Sequence, residues 1–126
     1  GPDRAVTLED LGDVHPSVIV HATPLGTEGR GLAPVPGALL APGVTVLDAV
    51  YRPRETELLR RARSAGAKAV EGTEWFLRQA WLQHLVIFRR GYQARFGPAG
   101  PPEQVASAAM AAMGRALDDW LGERRP

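Results

Sequence analysis

Residues 17–22 read Ser17-Val18-Ile19-Val20-His21-Ala22, and residues 44–51 read Val44-Thr45-Val46-Leu47-Asp48-Ala49-Val50-Tyr51. Both are near-continuous runs rich in β-branched residues. Such runs suit strands buried on both faces, as in a parallel sheet. Thr23-Pro24-Leu25-Gly26 breaks the first run. Residues 27–43 are rich in Gly and Pro, which predicts a long loop with one short helical turn near residues 37–40. The second run ends before Pro53, because proline cannot continue a central strand.

Working outward, Thr56 is a candidate cap for a helix whose apolar face carries Leu58, Leu59, Ala62 and Ala65. Gly66 stands where a glycine closes a helix. Residues 67–72, Ala67-Lys68-Ala69-Val70-Glu71-Gly72, predict a short third strand. Thr73 is the expected cap of the next helix. There Phe76, Leu77, Ala80, Trp81, His84, Leu85 and Phe88 recur at helical spacing, which predicts a substantially buried helix. Residues 89–102, ending in Gly97-Pro98-Ala99-Gly100-Pro101-Pro102, are expected to link to a last helix over residues 103–121. Its apolar stripe would be Val105, Ala109, Ala112, Met113, Ala116, Leu117 and Trp120. Residues 6–11 predict a short helix or turn ahead of the first strand. There is no internal repeat.

Strands that alternate with helices imply a parallel sheet. The expected fold class is therefore α/β. About three strands make half of a doubly wound parallel sheet, followed by C-terminal helices, in a single domain over residues 1–126.

The 126 residues suffice for one compact core. With 44% hydrophobic and 23% charged residues, bulk disorder is not expected. Fifteen basic residues against fourteen acidic ones leave a formal charge of +1, which lacks the basic excess of a nucleic-acid binder. The absence of cysteine excludes a disulfide framework, thiolate metal sites and a cysteine nucleophile. No apolar run approaches the ~20 residues that span a bilayer, so no membrane partner is expected. Gly1-Pro2-Asp3-Arg4 has neither the basic nor the apolar region of a signal peptide. It also lacks a starting methionine, so the expectation is a processed, tagged or excised end, while the absence of cysteine fits a cytoplasmic protein.

The sequence holds no Gly-x-Gly-x-x-Gly and no Gly-x-x-x-x-Gly-Lys-Ser/Thr phosphate loop. His15, His21 and His84 share no metal-ligand spacing and read as structural, so no metal site is expected. No Ser/His/Asp arrangement stands out. What remains are three segments that follow the predicted strands: residues 22–26, 48–56 and 71–79. In an open α/β sheet, ligands bind outside the carboxyl ends of the strands, and all three segments lie on that rim. On the residues alone, Gln79 reads as a polar helix residue and Tyr51 as a strand-end aromatic. Gly72 reads as a turn glycine and Trp75 as core packing.

Those segments resemble the shikimate dehydrogenase family, quinate/shikimate relatives included. The family carries Asn-Ala-Thr-x-x-Gly, then Asp-x-x-Tyr-x-Pro-x-x-Thr-x-Leu-Leu, then Gly-x-x-Met-Leu-x-x-Gln. Here these stand as His21-Ala22-Thr23-Pro24-Leu25-Gly26, as residues 48–59, and as Gly72-Thr73-Glu74-Trp75-Phe76-Leu77-Arg78-Gln79. The order and spacing match over nearly the whole chain. The resemblance implies the carboxyl-terminal half of a Rossmann-like dinucleotide-binding domain, in an enzyme that reduces 3-dehydroshikimate to shikimate with NADPH. NAD is not excluded as the cofactor.

By position, the resemblance places Ala22, Thr23, Pro24, Ala49, Gly72 and Trp75 at the cofactor. Thr23 and Pro24 would flank the nicotinamide, Ala49 would offer its backbone to the carboxamide, and Gly72 would let the cofactor approach. Tyr51 and Gln79 would bind substrate, at its carboxylate and a hydroxyl. The resemblance puts the catalytic Lys–Asp pair, the phosphate loop and the residues that choose between NADP and NAD outside this chain. No catalytic residue is therefore expected within it. The partners implied are a shikimate-like substrate and the missing amino-terminal half, or a second copy through an exposed strand edge. His21 replaces the family's Asn, Ala49 a larger apolar residue and Trp75 a Met. These departures leave open a non-catalytic interaction module that docks on a separate partner half.

Overall fold

A computed structural model of the chain describes Thr7, Asp10, Leu11 and residues 14–28 and 30–122. Half of the segment over residues 6–11 lies outside the described residues; within it, Asp10 N–H donates to the Thr7 carbonyl at 3.2 Å.

Three strands, β1 (Val18–His21), β2 (Thr45–Asp48) and β3 (Lys68–Val70), form a parallel sheet in the order β1-β2-β3. Parallel pairing requires long crossovers. The one between β1 and β2 is the Gly/Pro-rich loop, which includes the expected turn as a 3-10 helix at Gly37–Leu39. The one between β2 and β3 carries α1 (Glu57–Ser64). Register sets His21 beside Asp48, and Val20, Leu47 and Val70 in one row across the sheet.

Helix α1 packs on β2 and β3. The sheet face toward it carries Val46 and Asp48, both fully buried. The opposite face is more open: Val18 is 59% and Val20 63% exposed. The expectation of a first strand buried on both faces therefore fails. β1 lies at the sheet edge, and its alternate side chains stay in solvent despite the continuous apolar run. The core consists of Val46, Leu58, Leu59 and Ala62 with Ala33 and Leu40, the last two supplied by the long loop. Fully burying each such leucine contributes about 1.5–3 kcal/mol.

Both expected ends of α1 are present. Thr56 Oγ1 accepts the Leu59 N–H at 3.3 Å. At the other end Gly66 has φ +79°, Gly66 N–H donates to the Arg63 carbonyl and Ala67 N–H to the Ala62 carbonyl. That pair of bonds is the Schellman closure, which places a residue in the left-handed region at the position Gly66 holds.

Where a single domain over residues 1–126 is expected, the chain divides into two compact units, residues 1–73 and 74–126. The second unit is helical: α2 (Gly72–Ile87, which begins in the first unit), α3 (Arg89–Phe96) and α4 (Glu103–Leu121). Three expectations are corrected here. Helix α2 starts at Gly72, so Thr73 lies inside its first turn rather than capping it, with its hydroxyl 3.4 Å from a Glu71 carboxylate oxygen. Only Gly72 and Thr73 of α2 are buried: of the expected stripe, Leu77, Ala80, Trp81, His84 and Leu85 reach only intermediate depth, and Phe76 and Phe88 are exposed. The linker expected over residues 89–102 is helical through Phe96. There Tyr92 donates to or accepts from His84 Nε2 at 2.8 Å and lies edge-on to Trp81. The half-buried side of α4 is Ala106, Ala109, Met110, Met113, Gly114 and Leu117, one step round from the expected stripe; Val105 and Trp120 are exposed.

Candidate functional site

The three strands run the same way and lie side by side, so their carboxyl ends share one rim. The residues that follow them there are Ala22-Thr23-Pro24 after β1, Ala49-Val50-Tyr51 after β2 and Glu71-Gly72 after β3. The structure thus brings Ala22, Thr23, Pro24, Ala49, Tyr51 and Gly72 to a common edge of the first unit. Ala22, Thr23, Pro24 and Tyr51 are exposed, Ala49 is half-buried and Gly72 is buried. Ala49 N–H donates to the His21 carbonyl at 2.8 Å, which extends the β1–β2 ladder by one residue.

Gly72 is glycine for a reason internal to the chain. A Cβ there would stand 2.3 Å from the Val50 carbonyl oxygen and 2.7 Å from that of Asp48. The start of α2 thus presses directly on the end of β2. This requirement for glycine holds without a cofactor, beside the close approach that the resemblance implies.

Beneath the rim lies a polar chain that the sequence reading does not contain. Asp48, fully buried, accepts from Val50 N–H at 3.0 Å and from the Thr56 hydroxyl at 2.6 Å. Its Oδ1 also lies 3.0 Å from His21 Nδ1, and His21 is 6% exposed. His21 Nε2 lies 2.6 Å from Thr23 Oγ1. Every polar atom in this chain is paired, as burial demands. His21 is structural, as expected, but it also links the buried carboxylate to an exposed hydroxyl. The only sequence signal was that His21 and Asp48 each end a strand; their pairing depends on register.

Trp75 and Gln79 stand one turn apart on α2, within the second unit, and an i,i+4 pair shares a helix face. Trp75 is 42% exposed, so it is not the core residue that its type implies. Lys68, the sole lysine, opens β3 at its amino end, opposite the rim. Among the described residues no group of three His, Cys, Asp or Glu could hold a metal ion. No helix among them is long and apolar enough to cross a membrane.

No family model matches the chain. It is 52% identical over 54 residues to the shikimate dehydrogenase (NADP(+)) of Streptomyces avermitilis, which covers 43% of this chain and 19% of that protein. It is 48% identical over 88 residues to the shikimate dehydrogenase (NADP(+)) of Pelodictyon phaeoclathratiforme, which covers 64% of this chain and 31% of that protein. Among solved structures, it resembles the quinate dehydrogenase of Corynebacterium glutamicum in complex with NAD, with TM-score 0.54 and 34% identity, over 60% of this chain and 27% of that one. A chorismate mutase/shikimate 5-dehydrogenase fusion protein from Clostridium acetobutylicum shares the fold over 90% of this chain and 38% of its own, with TM-score 0.65 and 23% identity. The chain spans about a fifth to a third of the length of these two curated relatives.

Proposed function

We propose that the chain, which is similar to shikimate and quinate dehydrogenases, forms the carboxyl-terminal part of the cofactor domain of an NADP-dependent oxidoreductase of that family. The reaction is the reduction of 3-dehydroshikimate to shikimate, and the compartment is the cytoplasm. The observation that carries the reading is the shared rim, where Thr23-Pro24, Ala49 to Tyr51, and Gly72 converge from three adjacent strand ends. The residues present fit the nicotinamide end of the cofactor. An exposed hydroxyl and freshly ended strand backbone suit a carboxamide, while the sequence has no glycine-rich loop for the phosphates.

When bound, NADPH supplies the hydride that reduces the carbonyl carbon. This chain's part is orientation. Thr23, Pro24 and Ala49 would hold the ring at the rim, with Ala22 and Gly72 shaping the backbone beneath it; the resemblance assigns Trp75 to the cofactor as well. Tyr51 engages the substrate carboxylate and Gln79 a hydroxyl. The proton for the carbonyl oxygen comes from residues outside this sequence, because Lys68 lies at the wrong end of its strand. The exposed edge of β1 favours a second reading, a binding module that docks on a separate half.

One experiment separates the two. The chain is expressed alone and joined to the sequence encoded immediately upstream, and shikimate oxidation is followed by NADPH absorbance. Turnover by the joined form alone is expected. Turnover by the chain alone would overturn the assignment of missing parts, and none by either would favour the module.

A further inference from the structure

The hydrogen bonds around Asp48 run in one direction, and that direction ends on the rim. Backbone N–H groups can only donate, and they fix the sense of the chain. Thr56 Oγ1 receives the Leu59 N–H, so its own hydrogen goes to Asp48 Oδ2. Val50 N–H donates to Asp48 Oδ1. Asp48, as a carboxylate that draws these donors together, has no hydrogen to give. The contact to His21 Nδ1 is therefore a donation from the imidazole. If the imidazole carries its one proton on Nδ1, Nε2 keeps a lone pair, and the 2.6 Å contact to Thr23 is then a donation from the threonine hydroxyl. In that tautomer the Thr23 hydrogen is turned inward. Leu25 N–H reaches the same oxygen at 3.3 Å. What Thr23 would then turn to the rim is a lone pair.

We propose that Thr23 is a specificity-determining residue, held as an obligate hydrogen-bond acceptor by His21 and Asp48, and that it selects a ligand N–H donor at the rim. The donor is the carboxamide of a nicotinamide ring, a choice that rests on the dehydrogenase reading. His21 and Asp48 are positioning residues. They act through the orientation of one hydroxyl and do not touch the ligand.

The test uses the full chain and has two arms. The first needs no ligand: long-range proton–nitrogen correlation NMR reads the ring nitrogens of His21. The Nδ1–H tautomer is expected, with Nε2 shifting when Thr23→Val removes its donor. An Nε2–H tautomer, or an imidazolium at neutral pH, overturns the proposal. The second arm titrates nicotinamide mononucleotide against its 3-acetylpyridine analogue, in which a methyl ketone replaces the carboxamide and no N–H remains. Wild type should prefer the carboxamide about two- to tenfold, the scale of one neutral hydrogen bond. The preference should vanish in Thr23→Val and survive in Thr23→Ser. His21→Asn, which keeps a donor for Asp48 but is too short to reach Thr23, should lose it as well. Equal binding of the two probes by wild type overturns the selection and leaves the rim as a nicotinamide site. No chemical-shift change at Thr23, Ala49 or Tyr51 with either probe overturns this proposal, while the dehydrogenase reading stands or falls on turnover by the joined form.

Discussion

His21 and Asp48 close neighbouring strands at the same level, and the imidazole Nδ1 lies 3.0 Å from the carboxylate with both side chains buried. The pair is the midpoint of a chain that begins at the cap of α1 and ends at Thr23. A single carboxylate therefore serves the helix start, the turn after β2 and the rim.

Asp48→Ala is expected to destabilise the fold by at least about 3 kcal/mol. It strands the donors of His21, Val50 and Thr56 in the core, at about 1–3 kcal/mol each before relaxation. Asp48→Asn retains one acceptor and should cost less. Urea unfolding of the three proteins checks the order, and an Asp48→Ala midpoint equal to wild type would remove the carboxylate from its central place.

Gly72 and Gly114 offer a paired measurement. Gly72→Ala drives a Cβ into the Val50 and Asp48 carbonyls, which are backbone and cannot swing aside. A loss of about 1–3 kcal/mol is expected with no ligand present. Gly114, inside α4, would place its Cβ 3.7 Å from a Leu77 methyl, an ordinary contact. Gly114→Ala should therefore stabilise by roughly 0.5–1 kcal/mol, the helix-interior cost of glycine. Thermal melts that showed Gly72→Ala neutral would return that glycine to a role felt only when cofactor is bound.

The parts of the fold visible in the sequence are those fixed by local chemistry. Thr56 and Gly66 mark the two ends of α1 because a cap hydroxyl and a left-handed glycine act on their own few residues. The β-branched runs mark β1 and β2 for the same reason, and parallel order follows from the helix between β2 and β3. What stayed hidden depends on partners far away in sequence. Periodicity located α2 and α4 but could not say how deeply a stripe is covered. It also picked Val105 and Trp120 for a face to which Ala106, Met110 and Gly114 belong instead. Arg89 to Phe96 has two paired arginines and a glycine, so it reads as a connection until Tyr92 meets His84. The rim was legible through three motifs. The Thr23–His21–Asp48 chain was not, since two strand-end residues twenty-seven positions apart become partners only through register.

Gln79→Ala tests the proposed substrate contact in the joined, active form. Loss of one hydrogen bond to a substrate hydroxyl corresponds to about 0.5–1.5 kcal/mol. A fall in kcat/KM of about two- to tenfold is expected, with NADP affinity unchanged. Weakened NADP binding with intact substrate kinetics would move Gln79 to the cofactor.

β1 sets the last prediction. It pairs with β2 on one side only among the described residues, so its outer backbone donors and acceptors form an open template for another strand. Val18 and Val20 add apolar surface, and neither lysine nor proline interrupts the strand. Natural edges are guarded by such residues, and their absence here fits a strand meant to be covered by a partner half or by a second copy. The isolated chain should therefore gain apparent mass with concentration in light scattering. Val20→Lys places a charge at a site already 63% exposed, so it should leave the unfolding midpoint within about 0.5 kcal/mol of wild type while suppressing association. A wild-type chain that stays monomeric across the series would show the edge to be closed already, and truncation of the residues ahead of β1 would then locate what closes it.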